Sequence, residues 1–173
     1  NDGVVGGIVG RFSSQIQPAG QSKIVWRAHA LKNCWFDGTV QGVIRAGGLV
    51  GQVFWNSSDK VLTDDCLFTG KVIATSKGAG GILGHDWDSA ILKNTISNGK
   101  VCCNADTQVG PAVGEGTPTT ANNTYALAKV YKLDGVTENT ISNTKGYIAK
   151  TAAQLKACEG VSLDFWSATN TNG

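Results

Sequence analysis

A chain of 173 residues with 15 basic and 13 acidic side chains, net charge +2, has the size of one domain with a real core, and its charge is scattered. No Lys/Arg cluster is present to follow phosphates and no apolar run reaches the roughly 18 residues of a membrane span, so nucleic acid and membrane insertion are set aside. Methionine is absent even at position 1 and no signal-like segment opens the chain, which is the pattern expected of a processed product or a piece of a longer protein.

From the N-terminus, the first element is a glycine block, GGIVG at residues 6–10, carrying Gly6, Gly7 and Gly10 around two β-branched aliphatics. Glycine weakens a strand through lost backbone entropy and a missing side chain, so a reason for it must lie in the backbone. A long interval follows, SSQIQPAGQSKIVWRAHA, and then a second type of block, NCWFDGTV, from Asn33 to Val40. The glycine block returns as GGLVG (Gly47, Gly48, Gly51), the second block as DCLFTGKV from Asp65, and the glycine block again as GGILG (Gly80, Gly81, Gly84). NTISNGKV from Asn94, a worn GPAVG at residues 110–114 and NTYALAKV from Asn123 complete the series.

Set one above another, the second blocks give coherent columns: Asn33, Asp65, Asn94, Asn123; Cys34, Cys66, Thr95, Thr124; Val40, Val72, Val101, Val130. The column starts recur at about thirty residues, within the range of solenoid repeats. Each block is short, β-branched or aromatic, and bounded by Gly, Asn, Ser or Asp, which reads as strand and turn. A unit of two or more such strands cannot bury both faces alone, so the units stack. The expected fold is all-β: a short β-solenoid, parallel β-helix-like, of about four rungs. In each GGxxG the two central aliphatics point inward, while the glycines either turn the chain through positive φ or let neighbouring rungs approach closely. The Asn/Asp and Cys/Thr columns run as ladders up the stack, the amides serving the turn backbone.

The combination of GGLVG with N-C-aromatic-x-x-G-x-V resembles the GLUG repeat, a glycine-rich repeat of bacterial surface and secreted proteins and of some IgA-peptidase-like proteins. The likeness covers about residues 4–130 and fades in the last copy, where Pro111 and Ala128 replace glycines. It implies a cell-surface or extracellular location and a non-catalytic, adhesive or spacer role, with neighbouring domains of a parent chain and a host or environmental glycan or surface protein as partners. Residues 1–136 form the repeat region on this reading, and residues 137–173 a capping segment of the same domain. In that segment KTAAQLKAC predicts a short helix N-capped by Thr151, presenting Ala152, Leu155 and Cys158 and placed over the last rung. NTISN occurs identically at residues 94–98 and 139–143, so either Asn123 or Asn139 starts the last rung, with KVYKLDG a strand or a loop.

Candidate chemistry is sparse. Asp64, Asp65, Asp86 and Asp88 are the carboxylates near repeated positions, but they gather at no spacing that suggests an acid/base pair, and Asp65 falls in the Asn ladder. His29 and His85 lack partners at metal-ligand spacing, and the five cysteines, Cys34, Cys66, Cys102, Cys103 and Cys158, match no zinc pattern. No catalytic residue, metal or cofactor is therefore assigned, and the chain is read as not an enzyme. The cysteines are either reduced small hydrophobes or up to two disulfides with a free thiol. For Cys34 and Cys66, in one column, in-register parallel strands point both Cβ atoms the same way, so stacked thiols are expected, with Cys158 the partner of Cys102 or Cys103. After each glycine block comes an aromatic: Phe12, Trp55, and Trp87 between Asp86 and Asp88. These five residues are the candidate ligand contacts, an aromatic edge for a sugar ring or a partner; shielding of the sheet edge is the alternative.

Overall fold

The computed structural model describes residues 3–13, 15–16, 20, 25–26, 30–54, 61–87 and 90–157; His29, Trp55, Asp88 and Cys158 lie outside them. The first turn of chain holds β1 (Val5–Gly6), β2 (Val9–Ser13), a small antiparallel pair β3 (Gln15–Ile16) and β4 (Val25–Trp26), then β5 (Ala30–Lys32) and β6 (Trp35–Phe36). The second holds β7 (Thr39–Gly47), β8 (Val50–Phe54) and β9 (Val61–Phe68), and the third β10 (Lys71–Gly80), β11 (Leu83–Asp86) and β12 (Ala90–Ser97). The fourth holds β13 (Lys100–Cys103), β14 (Val109–Gly110), β15 (Val113–Glu115) and β16 (Thr120–Leu127), before β17 (Ile148–Lys150) and the helix α1 (Ala152–Lys156).

Each turn contributes a strand to each of three parallel sheets. The first runs β1-β7-β10-β13, with β14 also on β10; the second β2-β8-β11-β15; the third β5 and β6, then β9-β12-β16-β17. This is a three-sided β-solenoid. The registers match the sequence columns: Val40↔Val72↔Val101 in the first sheet, and Trp35↔Leu67↔Ile96↔Tyr125 in the third. The interior is lined by these valines, by Leu49, Val50, Ile82, Leu83, Ala112 and Val113 from the glycine blocks, and by the stacked Phe36 and Phe68 rings, 6.4 Å between centroids.

The glycine blocks form the corner between the first and second sheets, and close approach is what they serve. Gly47 has no positive φ. A Cβ there would overlap the Val50 carbonyl of its own rung and stand 2.6 Å from the amide nitrogen of Gly84 on the next. The second glycine of a block donates its N–H to the following rung, as Gly48 does to Gly80 O at 3.0 Å. Pro111 takes that place in the last block, where no fifth glycine corner follows to accept the bond, so a residue without an N–H is tolerated.

Positive φ belongs instead to the Asn/Asp column. Asn33, Asp65, Asn94 and Asn123 have φ of 53°, 52°, 47° and 48°, the left-handed region in which Asn and Asp are the least costly non-glycine residues. The amides of Asn94 and Asn123 run along the stack rather than to the turn backbone that the sequence suggested: Asn123 Nδ2 donates to Asn94 Oδ1, and Asn94 Nδ2 to Asp64 Oδ1, both at 3.2 Å. Asp64, nearly buried, also faces Lys32 and Lys93 through Oδ2 at 3.7 and 3.9 Å. A second left-handed column, unforeseen from sequence, precedes the glycine blocks at Arg45, Gly78 and Gln108 (φ 52°, 74° and 58°).

The kink at each Asn/Asp explains why Cys and Thr share the next column. Cys34, Cys66, Thr95 and Thr124 each donate to the carbonyl two residues back, of Lys32, Asp64, Lys93 and Asn122, at 3.0, 3.2, 2.7 and 3.2 Å. A thiol and a hydroxyl are interchangeable donors of similar size here. Cys34 and Cys66 are both free, as expected, with Cys66 fully buried and Cys34 half-buried; Cys102 and Cys103 are free and buried.

Asn123, inside β16, is the last copy of the Asn/Asp column, and the open edge of the fourth turn is covered by the chain that follows. Tyr131 makes a single parallel bridge to Cys102, Asn139 Nδ2 donates to the carbonyls of Cys103 and Ala105, and Ser142 and Asn143 donate backbone N–H groups to Val109 O. KVYKLDG is thus mostly loop. Only its Tyr131 pairs like a strand residue. The capping box of Thr151 with Gln154 starts α1 as predicted, but the helix does not lie over the last rung. Its Leu155 packs on Ile96 and Tyr125, outward residues of the third and fourth rungs, so α1 flanks the third sheet.

Candidate functional site

The predicted aromatic edge is only partly assembled. The register Phe12↔Val53↔Asp86 places Phe12 one position short of Trp87, and Phe12 packs half-buried against the core. Asp86 is buried, its Oδ1 accepting the Ala90 N–H at 3.1 Å across the turn into the third sheet, so it is not a solvent-facing contact. Trp87 is 45% exposed, and its neighbour on the preceding rung is Phe54, with ring centroids 5.2 Å apart and planes tilted by 55°. The guanidinium of Arg11 lies over the other side of this pair, 4.1 Å from the Phe54 centroid. A strip Arg11–Phe54–Trp87 therefore runs up the outside of the second sheet.

Beside it stands a polar ladder. Arg11, Gln52, His85 and Glu115 occupy one register position on four successive rungs. Each directly follows the last glycine of a block (Gly10, Gly51, Gly84, Gly114), a regularity visible in the sequence but hidden by attention to the aromatics further on. The indole N–H of Trp87 reaches His85 Nδ1 at 3.1 Å, and Gln52 Nε2 is 3.2 Å from the same atom. Indole nitrogen can only donate, so His85 Nδ1 is an acceptor and its ring proton sits on Nε2, which faces Glu115 Oε2 at 3.9 Å. Glu115 is held from the other side by Gln108 Nε2 at 3.0 Å on Oε1. A surface groove of about 390 Å³ opens next to it, lined by Thr107, Gln108, Thr117, Ser142 and Asn143 as well as Glu115.

These bonds give the ladder a definite chemistry. Trp87 is fixed by a hydrogen bond from its nitrogen inward to a buried imidazole, which leaves its ring outward in one pose. Asp86 is committed to a backbone turn, Glu115 to a glutamine and a histidine, and Asp64 to two lysines and an asparagine. Among the described residues no three His, Cys, Asp or Glu side chains converge as metal ligands. Burial pushes the Cys66 thiol up to about 11 and raises those of Cys102 and Cys103, so these three are held protonated as packing and hydrogen-bonding groups.

The fold defines the class: a three-sided parallel β-solenoid with a preorganised aromatic and polar strip on one sheet. Compared with protein-family models, with curated proteins and with solved structures, the chain matches none.

Proposed function

We propose that the chain is a non-catalytic repeat module of GLUG type from a larger cell-surface or secreted protein, serving adhesion or spacing. The observation that carries this reading is how the repeated positions are used. The glycines close a corner, the Asn/Asp residues supply a left-handed kink, and the Cys/Thr residues bond the carbonyl that the kink exposes, so what repeats is a stacking device. A module built this way gains length by adding units, which suits a spacer and an extended binding surface. Incubation with a panel of polysaccharides, followed by a reducing-end assay, tests it: release of new reducing ends overturns the non-catalytic reading in favour of a β-helix carbohydrate-active enzyme.

A second reading, a carbohydrate-binding module, is favoured by Trp87. Its exposed ring, held by Phe54 and by the bond to His85, is the kind of rigid aromatic face on which a sugar ring stacks. A glycan array with the parent and with Trp87→Ala separates the two readings. Retained glycan binding lost only in Trp87→Ala supports the binding module, whereas an array without signal leaves adhesion through protein contacts or spacing.

A further inference from the structure

Resting on the carbohydrate-binding reading, we infer that the Arg11–Phe54–Trp87 strip selects acidic saccharides, taking a ring carboxylate on Arg11 and the sugar face on Trp87. Arg11 is exposed and, among the described residues, has no carboxylate partner; its guanidinium carbon instead lies over the Phe54 ring. A guanidinium held over an aromatic ring keeps N–H donors for a carboxylate, which it can grip with two parallel bonds. Phe54 is the shared neighbour, 4.1 Å from the guanidinium carbon and 5.2 Å from the Trp87 ring centroid, so cation and platform stand one aromatic ring apart. One sugar unit bearing a carboxylate reaches both.

The rest of the strip fits this ligand better than an acidic peptide. Trp87 offers one face fixed by His85, with polar neighbours along the same sheet, Gln52 and Glu115. Sugar rings place C–H faces on such a ring and hydroxyls on its polar rim. The like charge of Glu115 stands two rungs further along the ladder from Gln52, well removed from Arg11 at its first rung.

Calorimetric titration of the full chain with oligomers of galacturonate, of alginate and of hyaluronan, and with each after reduction of its carboxyl groups, tests the inference, with poly-glutamate as a peptide control. At least one acidic oligomer is expected to bind ten-fold or more tighter than its reduced form, with affinity falling as salt rises. Arg11→Gln brings the acidic form to the level of the reduced one, and Trp87→Ala removes both, with melting temperatures close to the parent. Equal affinity for acidic and reduced oligomers overturns the acid selectivity and leaves the binding module standing. Binding to none of the six overturns both, and equal binding of poly-glutamate overturns the saccharide in favour of an acidic protein partner.

Discussion

The Cys66 thiol and the Thr95 hydroxyl stand at one register position on neighbouring rungs and perform the same task, each donating to the carbonyl two residues before it, Asp64 and Lys93. Cys66→Thr is therefore expected to be close to neutral. Cys66→Ala, which leaves the Asp64 carbonyl without that donor and opens space in the core, is expected to cost about 2 kcal/mol. Urea denaturation of the two variants checks the contrast; equal losses would show that volume alone matters at this position.

Burial of Cys66 also ties stability to alkaline pH. Its pKa rises from the ordinary 9.0 to about 11 in the folded chain, so between these values the unfolded chain has lost the proton and the folded chain still holds it. The folded state binds more protons there, and stability falls as pH rises through that interval, by on the order of 2 kcal/mol. Below about pH 9 the contribution is fully present. The difference between parent and Cys66→Thr across this range isolates it, and in native protein near pH 8 iodoacetamide should label the half-buried Cys34 before Cys66.

Gly47→Ala and Gly10→Ala change the same chemistry in one motif with opposite expectations. At Gly47 the new methyl meets backbone on two rungs, including Gly84 N at 2.6 Å, and neither can withdraw without breaking the corner; a loss of about 4 kcal/mol or more, or failure to fold, is expected. At Gly10, in the first rung, the nearest atom is Val4 O at 3.6 Å, an ordinary contact. There the change should lie within about 0.5 kcal/mol. Thermal melts of both proteins decide whether rung contact, rather than the motif as such, demands glycine.

Asn94→Asp keeps a residue suited to left-handed φ but replaces the donor to Asp64 with a second carboxylate. A destabilisation of about 2 kcal/mol at low salt is expected, shrinking as added salt screens the two charges, whereas Asn94→Gly should cost about 1 kcal/mol with no such salt dependence. Chemical denaturation at low and high salt separates charge repulsion from the loss of the hydrogen bond.

Arg45→Gly should stabilise the fold. Arg45 holds φ at 52° and its buried Nε has no hydrogen-bond partner, while the same ladder position is already glycine at Gly78. A gain of about 1 kcal/mol is expected, read as a rise in melting temperature.

The sequence by itself determined the repeat, its length, the parallel stacking and the inward valines and block aliphatics, because in-register stacking forces equivalent residues into equivalent surroundings on every rung. It also marked the Cys/Thr and Asn/Asp columns, though not why those types alternate. That reason is a backbone angle followed by a hydrogen bond two residues back, which no side-chain pattern displays. The two copies of NTISN are identical in sequence, yet residues 94–98 lie within β12 and its turn while residues 139–143 cover the end of the stack. Only the tertiary structure decided between them, since the first copy has a rung on either side and the second meets carbonyls with no further rung to satisfy them. The site divides in the same way. Trp87 was legible as an exposed aromatic, but its pairing with Phe54, the burial of Asp86 and the Arg11–Gln52–His85–Glu115 ladder depend on register between rungs, and register is set by the packed corner of glycines rather than by the residues it aligns.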